Sequence, residues 1–591
     1  MNEEPKSIWK KSWTGPRKLL LAWLGLVIVT MILFAIIMLA AGARITREEL
    51  KLWLALLLCA TMVFFLVIFI RWIFCWRNFK RFIFGVACLA TLIALAYAEE
   101  DWRGWHAWNQ FKQQWEAKGE KFDWQSSVPP AVPDDQNFAL TPLVFTSYGQ
   151  MLTRDGKMIP DNDRDTNFVV RMEMPIARDY SDWPTNGAGN WEKATLTDLE
   201  PWQNYYRTLA ATTNLFPVAP QPQSPAQDVL LALSKYNSTI EELRQASRLP
   251  YSRFPLEYDK DNPEAILLPH LAVMKNCVRI LRLRAIAELQ SGQSEKALED
   301  LKLMLNLNQS IRTEPVLISH LVRIAMAAIT LQPVYEGLAE HQWSDAQLTE
   351  LDSELARLDF LADYEFSMRG ERIFGISVTE YLRRSRNAQV FDYTESGDHS
   401  SPFQNIGLRL APASLFYRNE LTIAQMHQQW TLPLADLENR IVSPAKVSRS
   451  QAAADRELKR GWPYNILARM IFPAVSSVII NYAREQSSVD LARVAIALER
   501  FRLAHGEYPE SLDALASQFM GKVPHDIIGG GPLHYRLDPP SQSSGAAGGQ
   551  FVLYSVGWNE RDDGGVVVLQ KGSTPSADIN QGDWVWRYSQ K

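Results

Sequence analysis

Cysteine is scarce, with four in 591 residues. Cys59, Cys75 and Cys88 fall within the first hundred positions, so Cys277 stands alone in the rest. That later part forms no internal disulfide. It must be held by its core, which is no difficulty at this length. Histidine is sparse too. The nine are scattered, and none forms His-Glu-x-x-His or another close metal pairing. There is no Gly-x-Ser-x-Gly elbow and no phosphate-binding Gly-Lys-Ser/Thr loop. Gly529-Gly530-Gly531 has neither the lysine nor a preceding strand, and reads as a turn. Charge of one sign is also missing: 61 basic against 66 acidic residues leave a net −5. That balance argues against a nucleic-acid partner. Architecture and location are legible here; a reaction is not.

Long uncharged runs are present instead. Leu19–Ala41 is 23 residues without a charge. As a helix it is roughly 34 Å long, enough for a hydrocarbon core of about 30 Å. Leu52–Ile70 is a second run, bracketed by Lys51 and Arg71. Phe82–Ala98 is a third, preceded by Arg77, Lys80 and Arg81, whose long side chains reach back to the interface. Backbone in lipid must satisfy its own hydrogen bonds, so all three read as transmembrane helices. Lys6, Lys10, Lys11, Arg17 and Lys18 precede the first run, and Arg71 to Arg81 separate the second and third. Glu99, Glu100 and Asp101 follow the third. Basic residues stay inside, so the N-terminus is cytoplasmic and the chain after about residue 98 is extracytoplasmic. Ala41-Gly42-Ala43 resembles a signal-peptidase site, but the run before it is too long for a signal peptide, so the anchor reads as uncleaved.

Tryptophan is unevenly spread: 11 of 20 lie before residue 125. Trp102, Trp105, Trp108, Phe111 and Trp115 recur at steps of three and four and share one helical face. Two readings stay open, an interfacial helix on the outer leaflet or an amphipathic helix packed on its own domain. Val128–Pro133 reads as an extended linker. Residues 99–230 form a mixed region ending at a second Pro-rich boundary, Pro217–Pro225.

Helical periodicity dominates residues 231–470. Leu268–Leu289 and Glu295–Leu307 are separated by Ser291-Gly292-Gln293-Ser294. The spacing Ala285, Gly292, Ala297, Leu301 resembles one tetratricopeptide-type hairpin, but no 34-residue repeat recurs. A helix from about Glu314 to Leu338 follows, then a capping box at Ser344-Asp345-Ala346-Gln347. Asp392–Pro402 reads as a loop. His320 on its apolar helix reads as a core histidine. Glu365, Glu371 and Glu380 among Arg369, Arg372, Arg383 and Arg384 read as a solvated face of i,i+4 pairs rather than acid–base carboxylates.

Residues 471–591 change character. Ser488–Ala504 is an amphipathic helix ended by His505-Gly506. Pro509 opens a short helix bearing Leu512 and Leu515. Strands follow at Leu533–Leu537, Phe551–Val556, Val566–Leu569 and Trp584–Tyr588. Pro539–Gly549 is a loop.

This end resembles the globular domain of type II secretion system major pseudopilins, of the protein G kind. The likeness rests on Phe472-Pro473, Leu498 to Leu503, His505-Gly506-Glu507-Tyr508-Pro509, Leu515 and Val523-Pro524-His525-Asp526. It continues at Tyr535-Arg536, Tyr554-Ser555-Val556-Gly557, Gly564-Gly565 and Ala577-Asp578-Ile579. The resemblance implies a calcium loop. The carbonyl of Val556, with Asn559 and Asp578, would stand at the family's ligand positions. Asn559 replaces an aspartate, and Asp562 and Asp563 would restore the charge that calcium sites favour. The other reading is a hairpin turn. The segment Trp462–Gln486 carries Asn465, Arg469, Asn481 and Arg484, too polar for a pilus helix, so the chain is not a pilus subunit. Asp134-Asp135-Gln136-Asn137-Phe138 and the helical body also resemble a family of uncharacterised, large membrane-anchored bacterial proteins.

The expectation is a multi-domain membrane protein. Residues 1–98 are an anchor of three transmembrane helices, and the extracytoplasmic body is mainly α-helical. A small α+β pseudopilin-like domain ends the chain. Its function reads as an interaction or scaffold protein of the bacterial inner membrane, with an unknown protein partner tied to secretion or surface assembly. The alternative is an extracytoplasmic hydrolase or ligand-binding enzyme with a non-contiguous site in the helical body.

Overall fold

The computed structural model describes residues 16–41, 47–73, 76–146, 151–152, 158–159, 171–172, 184, 187–213, 215–258, 263 and 266–386. It also describes 407–461, 464–472, 478–516, 518–538, 550–570 and 576–588. The expected loops Asp392–Pro402 and Pro539–Gly549, together with Lys6, Lys10, Lys11 and Cys75, lie outside these. The chain divides into two compact units, Met1–Glu100 and Asp101–Lys591.

In the first unit each apolar run is helical: α1 Pro16–Ala41, α2 Arg47–Ile73 and the start of α3, Trp76–Glu116. The runs are leucine-rich and uninterrupted by proline, so nothing breaks the i→i−4 ladder. Thr30 folds its hydroxyl back onto the carbonyls of Leu26 and Val27. Trp53 of α2 reaches α1 through its ring (Phe34, 5.2 Å between centroids) and its indole N–H, which donates to the Thr30 carbonyl. Four described helices are long and apolar enough to cross a membrane: these three and Leu317–Ala339. No part of the apolar windows in the first three is buried, whereas 61 % of the fourth is.

In the second unit α4 Glu200–Thr213, α5 Pro225–Leu233 and α6 Asn237–Ala246 precede the hairpin of α7 Pro269–Gln290 and α8 Ser294–Ser310. Gly292 makes that turn in the left-handed region (φ 71°). Ala285, Ala297 and Leu301 are fully buried where the two helices meet. α9 Leu317–Ala339 lies against both. The capping box at Ser344 and Gln347 starts α10 Asp345–Leu355. Then come α11 Phe360–Ser385, α12 Ala413–Met426, a π turn at His427–Thr431, α13 Pro444–Arg460 and α14 Ile466–Ile471.

α15, Ile479–His505, begins nine residues before the expected Ser488 and ends at Gly506 in the left-handed region (φ 87°). It packs against α9, α10 and α11. Burial of Tyr482, Gln486, Asp490 and Glu499 along with its leucines makes it central rather than amphipathic. Beyond it β1 His534–Asp538, β2 Gln550–Ser555 and β5 Trp584–Arg587 form an antiparallel sheet in the order β1-β2-β5. Leu553 pairs with both Tyr535 and Trp586. β3 Val567–Leu569 pairs with β4 Ala577–Gly582. The four expected strands are present. β4 (ADINQG) is additional, its polar sequence carrying no apolar alternation.

One apolar cluster runs from Phe138 to Tyr588, joining the helical body to the terminal sheet. Trp191 and Tyr335 meet Trp586 at 5.2 and 5.5 Å between rings. A second cluster collects Trp108, Phe122, Ile423, Leu458 and Phe472.

Candidate functional site

The helix of tryptophans is not a separate element. It is the second half of α3, and its face is divided. Trp108 is buried, and Phe111 and Trp115 pack against the same cluster. Gly104 lies so close to α12 that an added Cβ would sit 2.9 Å from the Ser414 Cα. Asp101 accepts a hydrogen bond from the Ser414 amide at 2.7 Å. Trp102 and Trp105 remain 60 % and 47 % exposed. The steps of three and four place five rings near one stripe, but only the three farther along the chain meet a partner surface.

At the C-terminal end two buried aspartates organise the loops. Asp526 accepts from the amides of Ile528 and Val556 (both 2.9 Å) and from the Ser555 hydroxyl (2.8 Å). Asp583 accepts from the amides of Asp563, Gly565 and Val566. Burial pushes both carboxyls upward, opposed by these donors. The residues of the calcium reading distribute around this frame. Asp562 accepts from the Gly564 amide and the Tyr554 hydroxyl, both at 2.9 Å, which hold its carboxyl below the usual range. Asn559 donates to Asp563 at 2.8 Å. Asp578 stands on β4 and accepts from the Asn580 amide. The Val556 amide is tied to Asp526. Gly557, Gly564, Gly565 and Gly582 all have positive φ. Side-chain oxygens here take up loop amides, as they do in turns. Among the described residues no group of three or more His, Cys, Asp or Glu is placed to hold a metal ion. Asp526 belongs to the Val523-Pro524-His525-Asp526 motif, but two of its three partners, Ser555 and Val556, lie 29 and 30 residues away in sequence. No sequence signal marks Asp583 as a hub.

The charged stretch of α11 departs from a solvated face. Arg372 is fully buried, donating to Glu120 and to the Lys121 carbonyl, both at 2.7 Å. Its guanidinium stacks 4.4 Å from the Phe122 ring. Arg369 bridges Glu120 as well as its i−4 neighbour Glu365. Arg384 keeps the expected local pair with Glu380. Local pairing therefore holds for part of the stretch, while Glu120, on the segment after α3, takes Arg369 and Arg372.

His320 is fully buried and bonds the Glu314 carbonyl at 3.0 Å; burial and Arg323 drive its ring toward the neutral form. His270 meets the Glu314 carboxylate at 2.8 Å, and Ser319 donates to the same group. Ser319 thus bonds the acid rather than a histidine, so the trio lacks the nucleophile–base order of a catalytic triad. In the α7–α8 hairpin Glu288 and Asp300 are buried between Arg244 and Arg284. Burial and the neighbouring Asp300 push Glu288 up to about 8. A shallow cleft of about 310 Å³ lies over the two arginines.

The chain matches no known family model, no curated protein and no solved structure.

Proposed function

We propose that this protein is a membrane-anchored scaffold of the bacterial inner membrane. Residues 1–98 form the anchor and the part after about residue 98 is extracytoplasmic. The observation that carries the reading is the unburied apolar surface of the first three helices. Leu20, Ile32, Leu58, Phe65, Phe84 and Leu92 are each more than half exposed. A side chain of this kind left in water forfeits about 1.5–3 kcal/mol relative to burial, and the sum over three helices calls for lipid. The fourth apolar helix already has its cover inside the body. The basic residues before and between the runs favour a cytoplasmic N-terminus. Exposed Trp102 and Trp105, just past the third run, suit an interface where indoles are favoured.

The pseudopilin-like reading of residues 471–591 is supported by a long helix followed by an antiparallel sheet. On it, the terminal sheet and helical body present surface to a partner in secretion or surface assembly. Calcium at Val556, Asn559, Asp562, Asp563 and Asp578 is part of that reading. Titration of the full chain in detergent with calcium, giving no heat, removes it. Anchoring is tested by alkaline carbonate extraction: release of the full chain into the soluble fraction would refute it. Orientation is tested by a phosphatase fusion after Asp101, expected to be active. Crosslinking in the native membrane, expected to recover a specific protein partner, tests the scaffold role.

The hydrolase reading is favoured by one observation, the raised Glu288 beside Asp300 near a cleft, since perturbed carboxylates mark functional sites. An activity lost on E288Q with the fold intact would support it.

A further inference from the structure

A cleft of about 570 Å³ opens between α12, the π turn and α13. It falls within the size range of small-ligand sites, roughly 300–1,000 Å³. Its position follows from an irregularity. The π turn at His427–Thr431 interrupts the α-helical register after Met426, and such turns are frequently found at functional sites. Gln425, on the last regular turn, and Gln429, on the π turn, both line the cleft. Side-chain amides four residues apart offer paired donors and acceptors.

The floor is a fitted asparagine. Asn465 is 3 % exposed, and its Nδ2 donates to the carbonyls of Glu457 and Leu458. Those two acceptors fix the direction of the amide. Its Oδ1 has no hydrogen-bond partner among the described residues. Gly461 leaves room for it: an added Cβ there would sit 2.7 Å from Nδ2.

Charge of both signs stands on the walls. Arg418 comes from α12, its guanidinium 4.6 Å from the centre of the Tyr464 ring, which stiffens it. Arg460 and Glu457 come from α13 and are exposed. They are three residues apart on one helix, a spacing at which opposite charges usually meet. Yet among the described residues neither makes an ion pair, with the other or with any third group, whereas Arg244, Arg369 and Arg384 all pair. A wall with a fixed guanidinium, a second arginine, an unpaired carboxylate and two amides suits a ligand that carries an anion, a cation and amide groups together. An apolar ligand would leave Arg460, Glu457 and the two glutamine amides without partners in it.

The geometry points to this cleft as a binding site for a short peptide with free ends. The peptide's terminal carboxylate meets Arg418 and Arg460, where guanidinium forks match carboxylate geometry. Its terminal ammonium meets Glu457, and its backbone amides meet Gln425 and Gln429. The site is independent of the scaffold reading, because it needs neither the anchor's orientation nor a protein partner.

The test is calorimetric titration of the full chain in detergent micelles with tri-L-alanine, its C-terminal amide and its N-acetyl form. Saturable binding of tri-L-alanine is expected, weakened at least tenfold by amidation and at least tenfold by R460A. E457Q should weaken tri-L-alanine but leave the N-acetyl form unchanged, a readout that a general loss of structure would not give. Arg460 and Glu457 are exposed, so both variants keep the fold, and R449A, outside the lining, is the control. No saturable heat with tri-L-alanine, equal affinity for the amide, or R460A binding like the parent would each overturn the proposal.

Discussion

Glu499 offers a sharp test of how the central helix is held. Its carboxylate is fully buried on α15 and collects Arg502, His341 (2.9 Å) and Tyr508 (2.9 Å). Burial alone would raise its pKa. The bonds and charges of Arg502 and His341 outweigh that and bring it down from 4.5 to about 2. A folded-state value below the unfolded one contributes stability at pH above 4.5 that is lost as pH falls through about 2. At about 1.4 kcal/mol per pH unit the contribution is on the order of 3 kcal/mol at pH 6 and about 1.4 kcal/mol at pH 3. Glu499→Gln keeps the shape and removes the charge. The assay is chemical denaturation of the full chain in micelles, parent against E499Q, across pH 3 to 6. The gap should shrink by roughly half on acidification. A gap that stays constant with pH would show that E499Q acts through packing, and the electrostatic account would fail.

Three further outcomes follow from named contacts. Glu120→Gln strands the buried Arg372 and should cost about 3–5 kcal/mol, with E120Q/R372M recovering much of it; an E120Q variant as stable as the parent in denaturation curves would contradict this. Gly557→Ala places a Cβ against the Gly582 carbonyl at a positive φ and should cost more than about 1 kcal/mol, read as a lowered melting midpoint; an unchanged midpoint would refute it. A photo-crosslinking residue at position 102 or 105 should form lipid adducts and one at 108 should not, because only the first two side chains are exposed; equal labelling at all three would defeat the interfacial reading.

Local signals in the sequence were enough for much of the fold. Uncharged runs mark α1 and α2 within a few residues, because their composition leaves no competing structure. The Ser344 capping box and the Gly506 helix stop lie where their short-range chemistry places them. Tertiary contacts decided the rest. α15 starts early because Ile479 and Tyr482 have burial waiting for them, which helical period alone does not report. β4 is polar because its partner strand and a bulge, rather than alternation, set it. Arg372 resembles any surface arginine until Glu120, 252 residues away in sequence, is brought beside it. The cleft at the π turn was invisible for the same reason: Arg418, Glu457 and Asn465 carry no motif between them.

The apolar cluster that ends at Tyr588 also has a consequence for synthesis. Trp191 rests on Trp586, which leaves the ribosome 395 residues later (586 − 191). At 5–20 residues per second that wait is about 20–80 s. Throughout it the body's inner face lacks its final cover. A chain broken off before Trp584 would emerge sticky rather than merely shortened, and quality control would see it as unfinished.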